Sequence, residues 1–238
     1  MEEKRVELVK LAKDILKLSR NTLLVNLRFL DMALSMFELV PINTSTIMTD
    51  GKHLLYNPKF LLKEFKDDKQ IITRDYLHIV FHCIYRHMFV SATINRRLWN
   101  LACDIAVENC ISELGLKGLC VAKEQKQWQY LTILKTKINI LTAEKIYAHL
   151  QLEYTSEQDL QKLEDDFLAD DHSIWYESKD ETEQKHGLTS NKSQSDSNDD
   201  GENNNNQEPT SDNGENNNQQ SALSPRVISS QELEEQWQ

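Results

Sequence analysis

Apolar residues recur at helical spacing along most of the first 150 positions and then thin out. In EEKRVELVKLAKDILKLSR, Leu8, Leu11, Ala12, Ile15 and Leu18 alternate with Lys and Glu, which predicts an amphipathic helix. NTLLVNLRFLDMALSMF predicts a second, with Asn21 as its cap. The period then shortens. FELVPINTSTIMTDGKHLLY carries β-branched residues and a proline, and Asp50-Gly51 between two short apolar runs predicts a hairpin with a tight turn. YNPKFLLKEF predicts a short helix with Asn57 as cap and Pro58 at its first position. A helix from about Asp75 to Met88 follows. Leu98, Leu101, Ala102, Ile105, Ile111 and Leu114 then mark a helix that stops at Gly115. TAEKIYAHLQLEY, capped by Thr142, and the mostly solvated TSEQDLQKLEDDFL complete the series. The predicted class is mainly α with a small β-hairpin or sheet (α+β), with no internal repeat and no glycine-rich phosphate loop.

Composition limits how much of the chain this describes. From about residue 190 the text is Asn, Gln, Ser, Asp and Gly with almost nothing to bury, which predicts disorder. A folded domain over 1–178, with its core in about 1–152, is expected to precede an acidic, Asn/Gln/Ser-rich tail or linker over 179–238. Charge divides the same way: residues 1–152 hold 22 Lys and Arg against 16 Asp and Glu, and residues 153–238 hold 5 against 22. The overall charge of −11 therefore belongs to the tail. No basic patch with interleaved aromatics occurs, so no nucleic-acid partner is expected. No run approaches the ~20 apolar residues of a membrane span. The cysteines form no C-x-x-C pair, and three of the four lie in apolar helical text, as reduced thiols do. A cytoplasmic location is expected.

The candidate chemistry lies in DYLHIVFHCIYRHMF. Four residues advance an α-helix by about 400°, so His78 and His82 project within about 40° of each other and are spaced to bind one zinc ion. His87, about 900° on from His78, falls on the opposite side unless the helix ends near Tyr85, and no glycine is present to end it. On the next helix Asp104 and Glu108 share an apolar stripe with Leu101 and Ile105. A carboxylate there is costly unless it binds a cation or pairs, and Arg86, Arg96 and Arg97 are the available partners. Ligation and a structural ion pair both remain open for Asp104 at this point.

Several separated motifs occur in order: Thr49-Asp50-Gly51, Tyr56-Asn57-Pro58, the three histidines, Trp99-Asn100, Ala102 and Asp104, and DDHSIW from Asp170 to Trp175. In these the chain resembles a bacterial metallopeptidase domain that precedes a von Willebrand factor A-like domain. The resemblance implies a zincin-like core, a zinc cofactor held by His78, His82 and Asp104, and a hairpin that offers an edge strand to a peptide or protein substrate. It also implies a MoxR-type ATPase and an A-like protein as partners. Two departures stand out. Where the family helix reads H-E-x-x-H, this one has Ile79, and isoleucine cannot serve as the general base. Glu108 and Asp75 are the substitutes within reach in sequence. The chain also ends at ELEEQWQ with no A-like domain, as a truncated or split form would. Three readings follow: a metal-binding domain with impaired or no hydrolysis, an interaction module, and a helical scaffold with structural histidines.

Overall fold

The computed structural model describes residues 2–91, 93–153 and 156–176. The predicted polar tail and its boundary near residue 178 lie outside them. The chain begins with α1 (Glu2–Asn26), one continuous helix where two were expected. Asn21 is an exposed interior position of it and caps nothing. The reason is the buried face, which runs through Ala12, Ile15, Leu16, Ser19 and Leu23 to Leu27 without a glycine or proline to interrupt it. Leu11 and Leu18, expected on that face, are solvent-exposed. A single 3-10 turn, Arg28–Leu30, leads into the short α2 (Asp31–Ser35).

Three strands follow: β1 (Glu38–Pro41), β2 (Ile47–Thr49) and β3 (His53–Tyr56). They form one sheet in the order β1-β3-β2. The expected hairpin is β2–β3, antiparallel, with Thr49 opposite Leu54. Its turn is wider than an Asp-Gly pair alone implies. Asp50 Oδ1 accepts the amides of Lys52 and His53, so the side chain substitutes for part of the ladder, and Gly51 takes the positive φ of 92°. Strand β1 adds to the other side of β3 in parallel.

Asn57 caps α3 (Pro58–Asp67), with Pro58 at its first turn as expected. The histidine helix, α4 (Lys69–Ile84), starts six residues earlier than its pattern suggested, because Asp68 Oδ1 accepts the Gln70 amide and caps it. It also ends earlier. Arg86, with φ 60°, takes the left-handed position normally filled by glycine. The amide of His87 bonds the carbonyl of His82, and that of Arg86 bonds Cys83, which is the paired closure of a Schellman motif. An αL arginine costs about 1–2 kcal/mol relative to an unstrained backbone, and it turns His87 back under its own helix.

α5 (Arg96–Glu113) stops before Gly115, as its sequence suggested, and Asn95 caps its start. α6 (Glu124–Lys137) has no counterpart in the sequence reading, since it buries only Gln127, Leu131 and Leu134. α7 (Ala143–Glu153) and α8 (Glu157–Phe167) complete the α-helices among the described residues, and α8 is less solvated than expected: Leu160, Leu163 and Phe167 join α5 and α7 in one core. On its other side α5 packs against α4. Among the described residues no helix is long and apolar enough to cross a membrane. All four cysteines are unpaired, and Cys83 and Cys103 are buried.

Candidate metal centre

Every residue of α4 from Ile72 to Cys83 is buried, so its polar side chains must find partners within the protein. His78 and His82 do so in two directions. On the outer side, His78 Nδ1 meets Glu108 Oε1 at 2.8 Å, and His82 Nδ1 meets His87 Nδ1 at 2.9 Å. Burial, followed by the nearby His82 charge, holds the His87 pKa well below the ordinary histidine value. A neutral His87 accepts the His82 proton, and ionised Glu108 accepts that of His78. With a cation bound, both histidines are thereby held in the tautomer that presents an Nε2 lone pair inward. Without one, burial disfavours the charged form of His78, but Asp104, Asp170 and Glu108 outweigh that and raise its pKa well above the ordinary value.

On the inner side the two Nε2 atoms lie 2.8 Å apart. Asp104 Oδ1, from α5, is 3.1 Å from His82 Nε2 and 3.5 Å from His78 Nε2. Asp170 Oδ1 is 3.5 Å from His78 Nε2 and 3.6 Å from His82 Nε2. One donor atom from each of the four residues lies within 4.8 Å of the other three, and all four residues are buried. Donors held ~2.0–2.1 Å from a tetrahedral ion stand about 3.3–3.4 Å apart. The separations here bracket that value. Asp104 Oδ1 and both oxygens of Asp170 are also buried and make no well-aligned hydrogen bond among the described residues. Two Nε2 atoms facing each other beside two carboxylates require positive charge between them, supplied by a proton or by a cation. Two carboxylates balance one divalent cation. The residues present fit such an ion.

His172 closes the cluster from the same segment as Asp170. Its Nε2 is 3.1 Å from Asp104 Oδ1 and 3.0 Å from Asp170 Oδ1. Burial disfavours its charged form, but the two carboxylates outweigh that and push its pKa up to about 10. Burial likewise opposes ionisation of Asp104, and His172, His78 and His82 reverse it, leaving the carboxyl well below its usual range. With protons instead of a metal ion, the site is thus a charge-balanced cluster, and loading a cation displaces protons from it.

The remaining sequence candidates fall in other places. Glu108 stands behind His78: Oε2 accepts from Arg74 Nε at 3.0 Å and Nη2 at 2.9 Å. Burial alone raises its pKa, but the His78 bond and the Arg74 and Lys123 charges bring it down to about 2. Both of its oxygens are therefore occupied on the far side of the ring. Asp75 lies one turn before His78, buried, and burial pushes its carboxyl up to about 7 despite Lys123 and His78 nearby. Ile79 is fully buried. His87 supports His82 and lies at the wall of a cavity of about 680 Å³, whose lining includes none of the four convergent residues. Asp104 faces imidazoles and the Ala169 amide, not an arginine pair; Arg97 binds Glu157 and Glu164 instead.

Asp170 and His172 were not among the sequence candidates. They belong to a segment that leaves α8 and crosses the outer edge of β2. The Asp171 amide bonds the Ile47 carbonyl at 2.9 Å, Thr46 Oγ1 bonds the Ala169 carbonyl at 3.3 Å, and Trp175 Nε1 bonds the Thr49 carbonyl at 2.9 Å. The Trp175 ring packs 4.2 Å from His172 and 5.1 Å from His82. The edge strand that the resemblance offers to substrate is covered by the chain itself.

A family model described as "Putative metallopeptidase domain" matches residues 21–236. No curated protein and no solved structure matches the chain.

Proposed function

The chain belongs to the Putative metallopeptidase domain family, and from that premise we propose that it is a zinc-binding member in which peptide hydrolysis is lost or nearly so. One observation carries the reading: four protein donors converge on a wholly buried point, and an isoleucine stands where the base is expected. Two imidazoles with two carboxylates at tetrahedral separations suit zinc better than magnesium or calcium, which take oxygen ligands in larger numbers. In an open site such an ion polarises a carbonyl and activates a water. Catalytic zinc sites keep one position free for that water, whereas structural sites fill all four. Here Asp170 takes the fourth position.

The other residues serve that closed site. Glu108 and His87 hold the two rings in register, and Arg74 holds Glu108. Ile79 carries no proton. Loss of a general base typically costs ~10²–10⁴ in rate, and the closed coordination adds to that loss. We assign any residual hydrolysis to Asp75, whose carboxyl has no ion pair among the described residues and lies on the face of α4 that carries His78.

The test is a cleavage assay on the full chain loaded with zinc, run beside a chelated sample and the Asp75→Asn variant. One zinc per chain with no cleavage above blank, or a trace that Asp75→Asn removes, is the expected result. Rapid, chelator-sensitive cleavage that survives Asp75→Asn contradicts the proposal.

A further inference from the structure

The segment that carries Asp170 is attached to the fold mainly through polar contacts. Its bonds to the edge of β2 are the three already described, and Tyr176 Oη donates to Asn100 Oδ1. Trp175 and Tyr176 are its buried aromatic anchors, both at its far end. At its middle the opposite holds: both oxygens of Asp170 are buried and make no well-aligned hydrogen bond among the described residues, although His172 Nε2 stands 3.0 Å from Oδ1. A carboxylate in that setting opposes the ordering of its own segment unless positive charge is supplied where its oxygens point. His172, 3.0 Å from Asp170 Oδ1, supplies one such charge but shares it with Asp104; among the described residues the rest enters at the four-residue cluster, where Asp170 Oδ1 faces two Nε2 atoms at 3.5 and 3.6 Å.

Resting on the reading of the cluster as a divalent-cation site, we propose that Leu168–Tyr176 is a latch fastened by the metal. With the cation bound, Asp170 completes its coordination and the strap lies along β2. Removal of the cation releases the strap, which uncovers the backbone of Ile47 and Thr49 and opens the fourth position. His78, His82 and Asp104 come from α4 and α5, so they stay in place through either state. Only Asp170 and His172 come from a segment without regular structure beyond one 3-10 turn. The latch therefore couples metal occupancy to exposure of a sheet edge, the element that pairs with extended peptide.

Hydrogen exchange on the full chain, with metal content measured on the same sample, tests this. In the zinc-loaded protein the Asp171 amide is protected; on chelation its exchange is expected to rise on the order of 100-fold, with a much smaller change in α4 and α5. Asp170→Asn keeps the shape of the side chain and removes its charge. It is expected to retain zinc more weakly on the other three ligands, with strap exchange that no longer responds to chelation. A protein that takes up one zinc per chain but shows the same Asp171 exchange with and without it overturns the latch and leaves the metal site standing. Uniform acceleration across all helices overturns it too, by making the ion a global staple. Failure to bind zinc at all removes both readings.

Discussion

On the proposed zinc reading, alanine in place of His82 is expected to remove tight zinc binding and the thermal stabilisation that accompanies it. Structural zinc sites in small peptides are worth about 10–16 kcal/mol in all, so one of four donors contributes roughly 3–4 kcal/mol, a loss of a few hundred-fold in affinity or more. The linked loss of stability at saturating zinc is of the same size, and at roughly 2–4 °C per kcal/mol it lowers the melting temperature by about 10 °C. In chelator the comparison is different. Wild type then also lacks the cation, and the variant loses mainly packing and the His87 partner. His82→Gln, closer in volume, separates cavity effects from ligand loss. Thermal melts of all three proteins with and without zinc check this: only wild type should gain substantially. Equal gains for wild type and both variants would show that zinc stabilises the chain from elsewhere.

The second large effect is expected at Arg74, which no ion touches. Arg74 and Glu108 are both 1 % exposed, and the guanidinium also reaches the Leu119 carbonyl at 2.7 Å. Breaking a buried pair by removing one partner typically costs 3–5 kcal/mol, because the other charge is left uncompensated. Arg74→Ala is therefore expected to lower the melting temperature by about 10 °C or more even in chelator. It should also weaken zinc binding by ~10–100-fold, since Glu108 no longer holds the His78 ring by itself as firmly. Arg74→Met combined with Glu108→Gln removes both charges, so it should recover much of the stability but not the affinity. A loss under about 3 °C for Arg74→Ala would mean that the pair is solvated. Unchanged zinc affinity would mean that Glu108 does not position His78.

These residues show what the sequence could and could not convey. His78 and His82 were legible because helical periodicity converts a spacing of four into a shared face. Asp104 was legible because a charge on the apolar stripe of α5 needs an explanation. Glu108 shares that stripe, but one turn of helix moves it from the inner to the outer side of the His78 ring, a difference that periodicity does not express. Its partner Arg74, four residues before His78 on a buried face, was the available signal. His87 was discounted on the premise that a helix needs glycine to end sharply, yet Arg86 accepts the left-handed conformation and brings His87 onto His82. Asp170 was the hardest to find. It reaches the site through the path of a strap across β2, and no periodicity encodes such a path. The only local hint was an Asp and a His two apart, followed by a tryptophan, beyond the last apolar helix. In the fold, the hairpin, the cap at Asn57 and the stop at Gly115 were readable from local chemistry. The continuity of α1 and the existence of α6 depended on tertiary burial of narrow apolar stripes.

The central claim is that four side chains of this chain, two of them imidazoles, close around one divalent ion. X-ray absorption at the zinc edge of the loaded full chain tests it most directly. Four nitrogen or oxygen ligands at ~2.0–2.1 Å, with the multiple-scattering signature of two imidazoles and no sulfur shell near ~2.3 Å, is the result this account predicts. Six oxygen ligands, a thiolate contribution from any of the cysteines, or a spectrum unchanged by His82→Gln would contradict it.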